Sequence, residues 1–233
     1  MSFDLYPSLT GAKAAWQQME VVSGNLANVS TTGFKEHRIR FEVVDIDGQE
    51  HSDQFVKTGM AGAKMDDGPI QNDGVETHLA LRGRGFFAAE TERGETILVR
   101  SGALQIDAEG FLTAESGERI LGNGSPVYIP IEARISVRPD GQIFDQNGEE
   151  IGQLDLLDAD EIEPMGATRW RPISDPYPAE DVTIIQGALE GSNTDALGGM
   201  TELIEASRYF EAYQKAMQTS DRMDGDMYST VRG

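Results

Sequence analysis

By residue type and spacing, the groups best placed for chemistry are two acidic turns, Asp45-x-Asp47-Gly48-x-Glu50 and Asp145-x-Asn147-Gly148-x-Glu150. Alternating oxygen donors around a glycine begin a calcium loop, which also needs an acid two residues earlier and a bidentate acid at its twelfth position. Val43 and Ile143 stand at the earlier place and Gln54 and Leu154 at the later, so both motifs read as acidic hairpin turns. Gly83-x-Gly85, ahead of Phe86-Phe87, has neither the third glycine nor the following helix that would aim amides at a phosphate. The three histidines, His37, His51 and His78, are not spaced as a metal pair, and the absence of cysteine removes thiolate ligands, cysteine nucleophiles and disulfides. With 40 acidic residues a carboxylate pair can be nominated almost anywhere, so none informs. The sequence therefore assigns no catalytic, cofactor or metal residue.

Charge is more telling by its distribution than by its total of −21. Residues 1–40 carry 4 basic against 3 acidic groups, residues 41–186 carry 11 against 29, and residues 187–233 carry 4 against 8. Nucleic acid is not expected as a partner, because phosphate binding needs a concentrated basic face. The repulsion lies in the middle, and the nearly neutral ends are free to pack against copies of themselves. The one basic run, Lys35-Glu36-His37-Arg38-Ile39-Arg40, reads as a solvated strand face or, more sharply, as a patch in which Lys35, Arg38 and Arg40 meet acids of a neighbouring subunit. Neither a secretory signal nor an apolar run long enough for membrane insertion is visible.

The elements that would position these residues divide by periodicity. Leu5, Leu9, Ala12, Trp16, Met19 and Leu26 recur at spacings of four and three, broken only at Ser23, which is a helical seam of heptad type. Asn28, Ser30, Thr31, Thr32 and Gly33 supply stop chemistry near residue 28 or 29, and a strand pattern follows over 39–44. Near the other end, Ser192 to Asp195 are N-cap formers ahead of Met200, Leu203, Ile204, Phe210, Tyr213 and Met217. Gly198-Gly199 is a poor helix start, so regular helix is expected from about Met200. Between the helices, short apolar runs over 78–81, 86–89, 96–100, 127–131 and 133–137 alternate with turn pairs such as Asn123-Gly124, Asp140-Gly141 and Asn147-Gly148, the pattern of an antiparallel barrel or sandwich. RPISDPYP, over 171–178, reads as a linker leaving that domain.

The stretch Asn25-Leu26-Ala27-Asn28-Val29-Ser30-Thr31-Thr32-Gly33-Phe34-Lys35 resembles the N-terminal signature of the flagellar rod and hook proteins. Gly187-Ala188-Leu189-Glu190-Gly191-Ser192-Asn193, followed by Met200 to Ile204 and Arg208 to Glu211, resembles the same family's C-terminal motif. Leu79 to Phe87 and Arg100 to Leu104 resemble its central motifs, although Val75-Glu76-Thr77-His78-Leu79 replaces a common Asn-Pro-Leu-Asp run. The resemblance implies an α+β protein whose N- and C-terminal helices form a coiled-coil layer, with a central antiparallel all-β domain carried outside. Its expected parts are an assembly helix over 1–30, a connecting segment over 31–74, the β domain over 75–185 and a second assembly helix over 186–233.

The function so implied is a non-catalytic structural subunit of the periplasmic basal-body rod, forming a helical tube that transmits torque, of the proximal-rod type, with a distal-rod subunit as the alternative. The implied partners are copies of itself, other rod proteins and the flagellar export apparatus. A β-domain enzyme with covering helices and an adaptor that binds a rod without joining it are the rival readings.

Overall fold

The structure is a computed structural model that describes residues 5–45, 54–130 and 133–231, with side chains described for 8–41, 59, 62–130 and 133–223. It divides into two units. One comprises the described parts of 1–27, 37–61 and 195–233, and the other comprises 28–36 and 62–194.

The first unit is built on two helices, α1 (Leu5–Ala27) and α2 (Ala196–Val231), with the paired strands His37–Asp45 and Gln54–Ala63. α1 stops within two residues of its expected end. α2 begins four residues earlier than propensity suggests, because Asp195 caps it: its carboxylate accepts from the Leu197 amide at 3.1 Å and its carbonyl from the Gly199 amide at 2.9 Å. Gly199 also lies directly under the Leu26 side chain. The helices run antiparallel, with Gly11 against the Tyr213 ring at one end and Leu26 against Gly199 at the other. A Cβ on Gly11 would stand 2.5 Å from that ring, so this crossing admits only glycine without a shift.

The second unit is an antiparallel sheet ordered Ile162–Pro164, Arg169–Pro172, Thr96–Val99, Phe86–Glu90, Arg119–Gly122, Leu112–Ala114 and Leu104–Ile106. Side chains alternate across it. Phe87 and Ala89, opposite Val99 and Ile97, enter one core with Leu79, Leu81, Leu104 and Ile143. Phe86, Leu98 and Trp170 enter another on the opposite face, the two aromatic rings 6.4 Å apart. The turns at Asp140-Gly141 and Asn147-Gly148 join paired strands as expected.

Three expectations are corrected here. Of the run 127–131 the described part forms only an isolated bridge, Tyr128 with Phe111, after the short strand Ser125–Pro126, and residue 131 lies outside the described residues. Pro130 lacks the amide that would carry a ladder on, and of 133–137 only Ser136–Val137 is strand. The proline string is no exit linker. Arg171 and Pro172 pair with Glu163 and Ile162 in the sheet, Tyr177–Pro178 pairs with Leu157 and Asp158, and Thr183–Gln186 pairs with Leu79–Arg82. Pro172 and Pro178 sit in very short strands, where a missing donor is tolerated, and Pro176 lies in the connection between them. Lys35 is neither solvated nor offered to a neighbour, being fully buried in its own chain, whereas Arg38 and Arg40 are exposed.

Candidate assembly surface

The inward stripe of α1 is rotated by one position from the seam read in the sequence. Gly11, Ala15, Val22 and Asn25 are buried, and Gln18 is half-buried, at spacings of four and three. Of the expected seam residues, Ala12 is buried and Met19 and Leu26 are half-buried, while Leu9 and Trp16 are 53% and 52% exposed. Leu5 belongs to the helix but its side chain lies outside the described residues. On α2, Leu203, Phe210 and Met217 are half-buried and share their stripe with buried Ala206, with Tyr213 at its edge, whereas Met200 and Ile204 are 54% and 56% exposed. Small residues thus let the helices approach, and the large apolar side chains are displaced outward. Trp16, Met19, Leu203, Ile204, Arg208 and Glu211 line a groove of about 830 Å³ between the helices.

The motif residues beyond α1 and before α2 meet in the second unit, at a buried ionic cluster. The Glu190 carboxylate accepts from Lys35 Nζ at 2.8 Å, Arg100 Nε at 2.6 Å and the Gly68 amide at 2.9 Å. Lys35 donates again to the Asp66 carbonyl at 2.8 Å, and Arg100 spends three further donors on the carbonyls of Leu81, Gly83 and Gly85. Those two glycines therefore hold an arginine and not a phosphate. Burial is the main cause that lowers the Lys35 pKa, the Arg100 charge adds to it, and Glu190 pulls the other way.

Around this cluster the two chain segments are tied together. The Gly33 amide donates to the Glu190 carbonyl at 2.7 Å, with Gly33 at φ 70° and packed on the Ser101 backbone so closely that a Cβ would stand 2.6 Å away. Phe34 and Ser192 are buried beside it. The Asn193 side chain accepts from the Glu36 amide at 2.7 Å and donates to the carbonyls of Lys64 and Asp66. Ile70–Asn72 pairs with Ala188–Glu190 as a two-strand neck, extended at one end by the Gly191 amide on the Pro69 carbonyl and at the other by the Asp73 and Gly74 amides on the Gly187 carbonyl. In the helical unit, Asn25 accepts from the His37 amide at 2.9 Å and donates to its carbonyl at 3.0 Å, fixing where α1 meets the first strand. Asn28 accepts from the Thr31 hydroxyl, Thr32 is half-buried and Ala27 is exposed.

Sequence reasoning missed Arg100 as a site residue, and also Gly11, Ala15, Val22, Gly199 and Ala206. The second set carried a readable signal, small residues at heptad spacing. Arg100 stood in a stretch that resembles a central motif of the family, but nothing local pointed to its partner, 90 residues away.

Three family models match the chain. Residues 5–35 match "Flagella basal body rod protein", residues 80–145 match "Flagellar hook protein FlgE/F/G D1 domain", and residues 185–230 match "Flagellar basal body rod FlgEFG protein C-terminal". Among similar proteins is the "Flagellar basal-body rod protein FlgF" of Caulobacter vibrioides, 30% identical across 93% of this chain and 92% of the relative. The Escherichia coli protein of the same name is 27% identical across 95% of each. The "Flagellar basal-body rod protein FlgG" of Bacillus subtilis is 27% identical across 98% of each.

Proposed function

The chain belongs to the flagellar basal-body rod protein family and is a structural subunit of the basal body, and from that premise we propose that it polymerises with copies of itself and with other rod proteins into a tube across the periplasm. α1 and α2 form the inner coiled-coil layer of that tube and the β unit is carried outside. The subunit reaches its place through the flagellar export apparatus and works without catalysis, by packing stiffly enough to pass torque from motor to hook.

The observation that carries this reading is the outward display of Leu9, Trp16, Met200 and Ile204, each more than half exposed, on helices whose inner stripe is already filled. Each Å² of such apolar area removed from water contributes roughly 25 cal/mol, and only another subunit can remove it. Trp16→Asp and Ile204→Asp are expected to leave the unfolding of the isolated protein within about 0.5 kcal/mol of wild type, as exposed substitutions do. The same variants should abolish swimming and disappear from isolated basal bodies. Normal incorporation would end the reading.

The likeness to FlgF relatives supports the proximal rod. The FlgG relative matched across 98% of the chain supports the distal rod as the second reading. Gold-labelled subunits in isolated basal bodies separate the two by position along the rod.

A further inference from the structure

We infer that the β unit carries a binding site for an uncharged sugar ring, built around Tyr128. The pocket holds about 440 Å³, within the range of small-ligand sites, and lies between the turn at Asn123-Gly124, the segment 126–130 and the strand Glu150–Gln153. Side chains of that segment alternate: Val127 and Ile129 are buried, whereas Tyr128 and Pro130 are exposed and Pro126 is half-buried. Alternation puts the two prolines on the side of Tyr128, so a proline, a tyrosine and a proline form one row along the pocket. Ile151 adds to its apolar wall.

Tyr128 is 50% exposed yet held in place. Its ring stands edge-on to Phe111, with centroids 5.7 Å apart and planes at 73°, and the Arg119 guanidinium lies 4.2 Å over the centre of the Phe111 ring. Gly110, at φ 92°, lies directly against the Tyr128 ring, and a Cβ there would stand 2.7 Å from it. A bridge between Phe111 and Tyr128 fixes the backbone beneath. An exposed ring immobilised in this way loses little freedom when a ligand stacks on it.

The walls define the chemistry of that ligand. One residue in four of the chain is charged, yet among the described residues the Tyr128 phenol is the only ionisable group lining the pocket. A cation finds no counter-charge there, and an anion meets the field of a chain at −21. Polar recognition falls to two carboxamides. Asn123 is exposed, and its carboxamide has no partner among the described residues. Gln153 Nε2 donates to the Asp140 carbonyl at 3.3 Å, which leaves its oxygen to accept. A hydroxyl both donates and accepts, so it suits both side chains. A pyranose laid with its C–H face on Tyr128 and its hydroxyls on Asn123 and Gln153 meets the apolar row and both amides together.

A proline-rich peptide, the other ligand that aromatic-lined grooves take, fits less well. Its carbonyls only accept, which leaves the Gln153 oxygen without a donor, and Pro126 and Pro130 offer it no backbone amide. The adjoining strand edge is not open to an added strand either. The Asp155 amide donates to the Leu121 carbonyl and Gly122 bridges Leu154.

Amide NMR titration of the full-length protein tests the site. Cellotriose and chitotriose are the neutral probes, trigalacturonic acid is their charged counterpart, and a polyproline peptide represents the competing class. At least one neutral triose should give saturable shifts in the millimolar range, confined to residues 122–130 and 151–153, where the other two probes give none. Tyr128→Ala should weaken binding about tenfold and Tyr128→Phe should retain it. Asn123→Gly keeps the left-handed turn, at φ 51° in the wild type, while removing the carboxamide, and should weaken binding several-fold. Unchanged spectra away from the pocket show that the variants are folded, and if Tyr128→Ala is not, Asn123→Gly decides. Absence of saturable shifts with both neutral trioses, binding that these two variants leave unchanged, or shifts at the pocket from the peptide or the acidic triose would overturn the proposal. None of these outcomes touches incorporation into basal bodies, on which the rod reading stands or falls.

Discussion

In the β unit Trp170, Phe86 and Phe87 are wholly buried in its two cores, as are the charged ends of Lys35, Arg100 and Glu190. Among the described residues of the helical unit the buried positions on the helices are held by Gly11, Ala12, Ala14, Ala15, Val22, Asn25 and Ala206, and the bulky Leu9, Trp16, Met200 and Ile204 lie outside. One unit has completed its core and satisfied its charges. The other has used small residues internally and leaves its large ones exposed in the lone chain. The contrast teaches that burial within one chain and apolar content along the sequence are separate quantities, and that an assembling subunit divides them between regions.

That contrast is broken most severely by removing Glu190. Glu190→Ala leaves Lys35 and Arg100 buried without their carboxylate, and loss of one partner from such a cluster costs about 3–5 kcal/mol. Chemical unfolding of the β unit should show a loss of that size, and a loss under about 1 kcal/mol would mean that the cluster contributes little.

A smaller effect is expected from Gly11→Val, which drives a side chain into the Tyr213 ring. Overpacking of this kind costs about 1–3 kcal/mol, and here it should fall on the helices alone. Hydrogen exchange should rise in α1 and α2 while the β-unit amides stay protected, and equal loosening of both would deny their independence.

The smallest effect separates the units by pH. Burial holds the His37 pKa below its ordinary value, so between the folded and unfolded values the unfolded chain binds more protons and stability rises with pH. The contribution is complete above about pH 6.5 and is lost as pH falls from there through the lowered folded value. In the β unit, burial tends to raise the Glu118 pKa, but bonds from the Ser116 hydroxyl and the Arg169 guanidinium outweigh it and leave the value lowered. Asp73 is also lowered, chiefly by the Val75 amide and then by His78. Stability from these carboxylates is present above about pH 4 and lost as pH falls through their lowered folded values. Acidification should therefore loosen the first strand and α1 before the β unit, with His37→Gln abolishing the earlier step, as pH-stepped hydrogen exchange would record.

Much of this division was legible beforehand. Both helices follow from heptad spacing and the hairpins from their turn pairs, because those signals are local. The filled stripe of α1 lies one residue from the apolar spacing because close helix approach selects Gly11 and Ala15, whereas a search for apolar stripes weights Leu9 and Trp16, which the lone chain leaves exposed. The early start of α2 follows from the Asp195 cap, which propensity alone underweights beside Gly198-Gly199, and Leu26, 173 positions away, packs over Gly199. Lys35 looked like part of a surface patch because its neighbours in sequence are polar. Its burial is decided by Glu190, 155 residues on.

The two-strand neck carries a consequence of another kind. Because Asn72 and Ala188 are direct partners in an antiparallel ladder, the chain leaves toward residue 73 and returns at residue 187 through one doorway. Everything between them is a cassette whose two ends are already joined. It can be lengthened, trimmed or exchanged for a foreign hairpin closed by a two-residue turn, with the helices and the Glu190 carboxylate left in place. Arg100 travels with the cassette, so a graft must bring its own cation or leave Glu190 with Lys35 as its one charged partner within hydrogen-bond distance. Such a subunit could display an unrelated domain at a regular spacing along a filament.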